Sequence, residues 1–217
     1  MDLQIVGEML RTRHRATVDM SSDFLEVEMK ASIPSALLRI EFMVHRETGL
    51  VPGTWKIYER QPGGREWPER TKYYETDPDF LNVMKEVQDD IKSVSHFSKA
   101  VVISVTTTDP TVQFEIAGAG PSKSIGAGPN KSIGEGAEIK YLTGTIHETL
   151  AFPETYQFLL GIFKIAGAMS AEILAQIAAQ YLYDAVKEKR DLKLKIGDSE
   201  VPVDKEKIEE AIRRYVV

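Results

Sequence analysis

Residues 156–189 read YQFLLGIFKIAGAMSAEILAQIAAQYLYDAVKEK, the longest apolar run of the chain and its most regular pattern. Small residues recur at every fourth position, Gly167, Ala171, Ala175 and Ala179, beside a parallel row of large ones, Ile165, Met169, Ile173, Ile177 and Tyr181. Glu172, Gln176, Gln180 and Asp184 form the polar row. Residues four apart share one face of a helix, so the spacing predicts a helix over 156–189 with a wide apolar surface and a narrow wet strip. Such a surface is covered by the protein's own fold, by a partner or by lipid. The small-residue row lets another backbone approach closely, which makes Gly167, Ala171, Ala175 and Ala179 the expected interface.

Downstream, Lys187, Lys189 and Arg190 supply the cations favoured at a helix C-terminus. Leu192, Leu194 and Ile196 then alternate as a strand, Gly197-Asp198 turns, and Val201 and Val203 return. Asp204 caps a last helix with the stripe Ile208, Ala211, Ile212 and Tyr215. The stretch LKLKIGDSEVPVDKEKIEEAIRRYV, 192–216, is similar to a hairpin-and-helix pattern of bacterial effector-associated adaptor modules. Many unrelated proteins share that pattern, so it implies no particular function.

Upstream, the chain reads as an antiparallel sheet. Residues 1–60 are expected to be rich in strands, with Leu3-Gln4-Ile5-Val6 a short apolar opening. Leu25, Val27, Met29 and Ala31 alternate with Glu26, Glu28 and Lys30, and Leu38, Ile40, Phe42 and Val44 with Arg39, Glu41 and Met43. Further strands are expected at 55–58, briefly at Tyr73-Tyr74, at 100–107, at 111–117 and at 137–146. Asp77-Pro78 opens a helix carrying Phe80, Met84, Val87, Ile91 and Val94 on one stripe. The repeat GAGPSKSI, GAGPNKSI and the following GEG, over 118–136, read as a mobile or extended insertion. The expected architecture is α+β: an antiparallel sheet domain over 1–150 with one covering helix, then a helix–hairpin–helix segment over 151–217.

Composition narrows the function classes. The chain has 217 residues and a net charge of −6, which argues against nonspecific nucleic-acid binding. There is no cysteine, which excludes disulfides and thiolate chemistry and fits a reducing compartment. MDLQIVGEMLRTRHR lacks the apolar core of a secretory signal, so a cytoplasmic location is expected.

The reactive patterns fail in detail. In GAGPNKS a phosphate-binding loop would need Gly where Asn130 and Ile125 stand, and a helix after Lys131. His147-Glu148 lacks the second His of a zinc-protease motif, because Ala151 occupies that place. His14, His45, His96 and His147 are scattered. Glu8, Asp19, Glu28 and Lys30 are similar to the two-acid, one-lysine arrangement of restriction-type nucleases. That resemblance implies Mg²⁺-assisted phosphodiester cleavage, with Arg11, Arg13 and Arg15 at the phosphate. The same residues are also the exposed side of an alternating strand, and Glu138-Ile139-Lys140 repeats the motif elsewhere.

The sequence therefore points to a non-enzymatic interaction or self-assembly protein. It would present the helix 156–189 to a partner protein or to copies of itself, without cofactor, metal site or catalytic residue. Two alternatives stand beside it: insertion of that helix into a membrane, and a Mg²⁺-dependent nuclease using Asp19, Glu28 and Lys30.

Overall fold

The computed structural model describes residues 1–60, 64–117, 130–133, 135–145, 153–163 and 169–217. It is an α+β protein of antiparallel sheets and helices. Contacts divide it into two compact units, Met1–His96 and Phe97–Val217. The sequence boundary at 150 falls instead inside the second unit, between two strands that are hydrogen-bonded to each other.

The first unit opens with helix α1 (Leu3–Arg13), where a strand-like apolar opening was expected. Asp2 caps it, its carboxylate accepting from the N–H groups of Gln4 and Ile5. Leu3, Val6, Met9 and Leu10 are buried at helical spacing, so α1 covers the sheet in addition to the one helix expected. Strands β1 (Thr17–Met20), β2 (Phe24–Ile33), β3 (Ala36–His45), β4 (Gly49–Leu50) and β5 (Lys56–Arg60) form a five-stranded sheet. It runs β1-β2-β3-β4, with β5 also on β3. The alternating strands fold as read: Leu25, Val27, Met29, Leu38, Ile40, Phe42 and Val44 are all buried. Tyr73 and Tyr74 belong to a short helix, α2 (Thr71–Tyr74), and not to a strand. Helix α3 (Pro78–Val94) starts at its Asp77 cap and buries the stripe Phe80, Met84, Val87, Ile91 and Val94.

In the second unit, β6 (Phe97–Thr107) is followed by a short helix, α4 (Val112–Ala117), where a strand was expected over 111–117. The Asp109 carboxylate accepts from both the N–H and the hydroxyl of Thr111, and this turn winds the chain into a helix. Val112, Ile116 and Ala117 are then buried, while Phe114 is turned outward. Strands β7 (Asn130–Ile133), β8 (Ala137–Thr145) and β9 (Glu154–Phe163), helix α5 (Ala171–Val186), the hairpin β10 (Lys193–Ile196) and β11 (Ser199–Val201), and helix α6 (Lys205–Val216) complete it. The six-stranded sheet runs β11-β10-β6-β9-β8-β7, antiparallel at every pair.

The expected helix over 156–189 is thus a strand and a shorter helix. β9 sits between β6 and β8 and is apolar on both faces: Tyr156, Phe158, Leu160 and Ile162 enter the helix-covered core, and Leu159 is buried on the other side. A central strand reads as a continuous apolar run, which periodicity alone does not separate from a buried helix. Gly161 fits this strand because a Cβ there would be driven into the Phe97 ring. The helix starts only after Ser170, whose side chain accepts from the N–H of Ile173. Leu174, Ala175, Ala178, Ala179, Leu182 and Val186 of α5 share one core with Ile208, Ile212 and Val216 of α6. At the hairpin, Gly197 has φ +57 and the Tyr215 ring lies against its Cα, so the turn excludes any side chain there.

Candidate functional site

The polar row of the decisive stretch becomes one wall of a groove. Gln176, Ile177, Gln180, Tyr181 and Asp184 of α5 face Lys131, Ser132 and Ile133 of β7, and Lys205 at the start of α6 completes the lining. The groove is broadly open to solvent, with a volume of about 500 Å³. That size lies within the usual range of ligand clefts, roughly 300–1,000 Å³.

Each wall has a local cause. Lys131 and Ile133 lie two apart on β7 and so point to the same face of the sheet, the face α5 covers. Ile133 is buried in the core while Lys131 reaches the Tyr181 ring, its ammonium 4.6 Å from the centroid. Tyr181 is itself pinned: its hydroxyl donates toward the carbonyl oxygens of Glu115, at 2.6 Å, and Ile116, at 2.9 Å. The segment carrying those carbonyls is tied to the end of α5 by Lys189, which donates to Asp109 (2.9 Å), Thr111 (2.9 Å) and Glu115 (2.7 Å). Hydrogen bonds from Thr111 and then from Lys189 hold the Asp109 carboxyl down at about 2. Hydrogen bonds to Glu115 and then to Asp109 raise the Lys189 ammonium above its ordinary value.

The charges in the groove are unequal. Asp184 already accepts from Lys187 and from Gln180, each at 2.7 Å, and these bonds hold its carboxyl below the ordinary range. Lys205 acts on it only through the field. Neither Lys131 nor Lys205 forms an ion pair among the described residues. Among the described residues β7 ends its sheet, with β8 as its hydrogen-bonded neighbour.

The residues singled out in the sequence fall elsewhere. Of the small-residue row, Gly167 lies outside the described residues, Ala171 is half-buried, and Ala175 and Ala179 are fully buried inside the chain's own core. The close approach that row permits is met within the chain, in the core α5 shares with α6. Asp19, Glu28 and Lys30 do share the exposed face of the first sheet. Asp19 stands opposite Glu26, however, Glu28 stands opposite Thr17, and Glu28 turns to Arg39 at 4.0 Å. Glu8 is on α1, paired with Arg11 at 3.8 Å, and not on a hairpin. Among the described residues no three His, Asp or Glu side chains come together in a way that could hold a metal ion.

The basic cluster has a structural use. Arg13 Nε lies 2.6 Å, and His14 Nε2 2.9 Å, from Oδ2 of Asp90, which is 1% exposed, joining α1 to α3. Burial pushes the neighbouring Glu86 carboxyl up, against the opposing pull of Arg13 and His14. Lys131 of the glycine-rich repeat stands on a strand with no helix after it, so the phosphate-loop geometry is absent there. His147 and Glu148, and residues 118–129 of the repeat, lie outside the described residues. No helix among the described residues is long and apolar enough to cross a membrane, and the stretch that the membrane alternative would insert contains β9 and α5.

The polar row of α5 was legible in the sequence; its partners Lys131 and Lys205 were not, because only the fold brings them to it. No family model, no curated protein and no solved structure matches the chain.

Proposed function

We propose that this is a non-enzymatic interaction protein whose contact surface is the groove between β7 and α5. One observation carries the reading: an open groove of about 500 Å³ lies between β7, the last strand of its sheet among the described residues, and the polar row of α5. Charged and polar side chains on both walls select a partner by complementarity. The surface presented is the polar side of α5; the small-residue side is packed inward.

The test is a selection from a displayed library of random peptides, run against the wild type and against Gln176→Trp, with the solution mass of both proteins measured alongside. Gln176 is exposed, so the indole fills the groove without entering the core. The reading expects binders on the wild type that are lost on the variant, or a self-associated mass that falls in the variant. A monomer that enriches no binder, or binders held equally by both proteins, would contradict it.

A further inference from the structure

We infer that the groove recognises a phosphorylated side chain of a partner protein, held at its phosphate by Lys131 and Lys205. The inference rests on the groove being the contact surface and goes on to name what it takes. Three observations carry it. First, Lys131 of β7 and Lys205 of α6 border the same groove, and neither ammonium has an ion-pair partner among the described residues. Asp184, the carboxylate of the lining, is already engaged by Lys187 and Gln180. In a chain of net charge −6 this is a local positive site. Second, Tyr181 is fixed by Glu115 and Ile116 and holds Lys131 above its ring, so that ammonium is ordered before a ligand arrives. Third, Gln176 lines the same groove, is exposed and makes no side-chain hydrogen bond among the described residues, so its amide adds a neutral donor beside the two cations.

Charge and atom count choose among the anions that side chains carry. A carboxylate brings one negative charge and two acceptor atoms, and so balances one of the two lysines. A phosphomonoester brings a charge of roughly −1.5 to −2 at neutral pH and three acceptor oxygens, which matches two ammonium groups and an amide. Both lysines are long flexible stems around one groove, so a single compact anion can meet both. Ile177 and the Tyr181 ring, in the same lining, give the residues flanking the phosphate an apolar footing. Every one of these contacts is made by a side chain; no backbone pairing enters.

The experiment is affinity capture of three equimolar pools of short random peptides on the immobilised full chain. The pools are built around one fixed phosphoserine, one fixed serine or one fixed glutamate, and retained peptides are counted by mass spectrometry. The phosphoserine pool is expected to be retained roughly tenfold over both others. That preference should vanish in K131Q/K205Q and persist in K131R/K205R, which keeps the charges. It should also persist in K193Q/K195Q, which removes two exposed lysines of β10 outside the groove lining. Glutamate peptides retained as well as phosphoserine peptides, a preference that survives K131Q/K205Q, or one lost equally in K193Q/K195Q would overturn the inference. So would inorganic phosphate, titrated alone, binding as tightly as the best phosphopeptide, because the ligand would then be the free anion. If library selection yields binders lost on Gln176→Trp while phosphoserine peptides are retained no better than serine ones, the groove stands as the contact surface and this assignment of its occupant fails.

Discussion

The Lys131 ammonium lies 4.6 Å from the centre of the Tyr181 ring, joining β7 to α5 across the groove. The ring is held by its hydroxyl on the carbonyls of Glu115 and Ile116. Tyr181→Phe keeps the ring and leaves two acceptors without that donor, at a cost of about 1 kcal/mol of stability. Chemical denaturation of the variant measures it; an unchanged midpoint would show that the hydroxyl is not part of the wall.

Ala175 is fully buried in the core that α5 shares with Ile208 and Ile212 of α6. Ala175→Leu forces extra carbons into that contact, and overpacking costs about 1–3 kcal/mol. The variant should lose stability and keep its solution mass. Retained stability with an altered mass would return the small-residue row to the role of an interface between molecules.

Asp90 is buried with Arg13 and His14 upon it. Asp90→Ala leaves a largely buried guanidinium without this carboxylate, and breaking such a pair costs about 3–5 kcal/mol. The lower end is expected, because Glu86 still acts on Arg13. Loss of the first unit's unfolding transition at ambient temperature, or a clear fall in its midpoint, agrees; a change within error does not.

Asp109 carries a pH dependence of known sign. Its folded pKa, about 2, lies below the ordinary carboxylate value, so its stabilising contribution is present in full above the unfolded pKa. It is lost as pH falls from about 4 toward 2. Lys189→Met removes one source of that depression and should flatten the stability–pH slope in this window. An identical slope in wild type and variant would contradict the assignment.

Much of the fold was legible wherever side chains face two different environments. β2 and β3 alternate because one face is buried and the other wet, and α3 and α6 carry their stripes and Asp caps openly. Two of the readings failed where an element is covered on both sides or is too short to show its period. β9 is buried on both faces, so Tyr156–Phe163 merged with α5 into one apparent helix. In α4 the alternation of Val112, Phe114 and Ile116 suggested a strand, and the Asp109–Thr111 turn decided otherwise. Within the groove, Gln176, Gln180 and Asp184 formed a visible row. Lys131 and Lys205, 74 positions apart in number, meet it only after the sheet closes.

The most direct measurement is amide hydrogen exchange of the protein with and without a peptide selected on it. Residues Asn130–Ile133 form β7 beside the groove, and Ser199–Val201 form the strand at the opposite end of the same sheet. The account predicts that bound peptide slows exchange over 130–133 and leaves 199–201 unchanged. Slowing at 199–201 with β7 unaffected would contradict it.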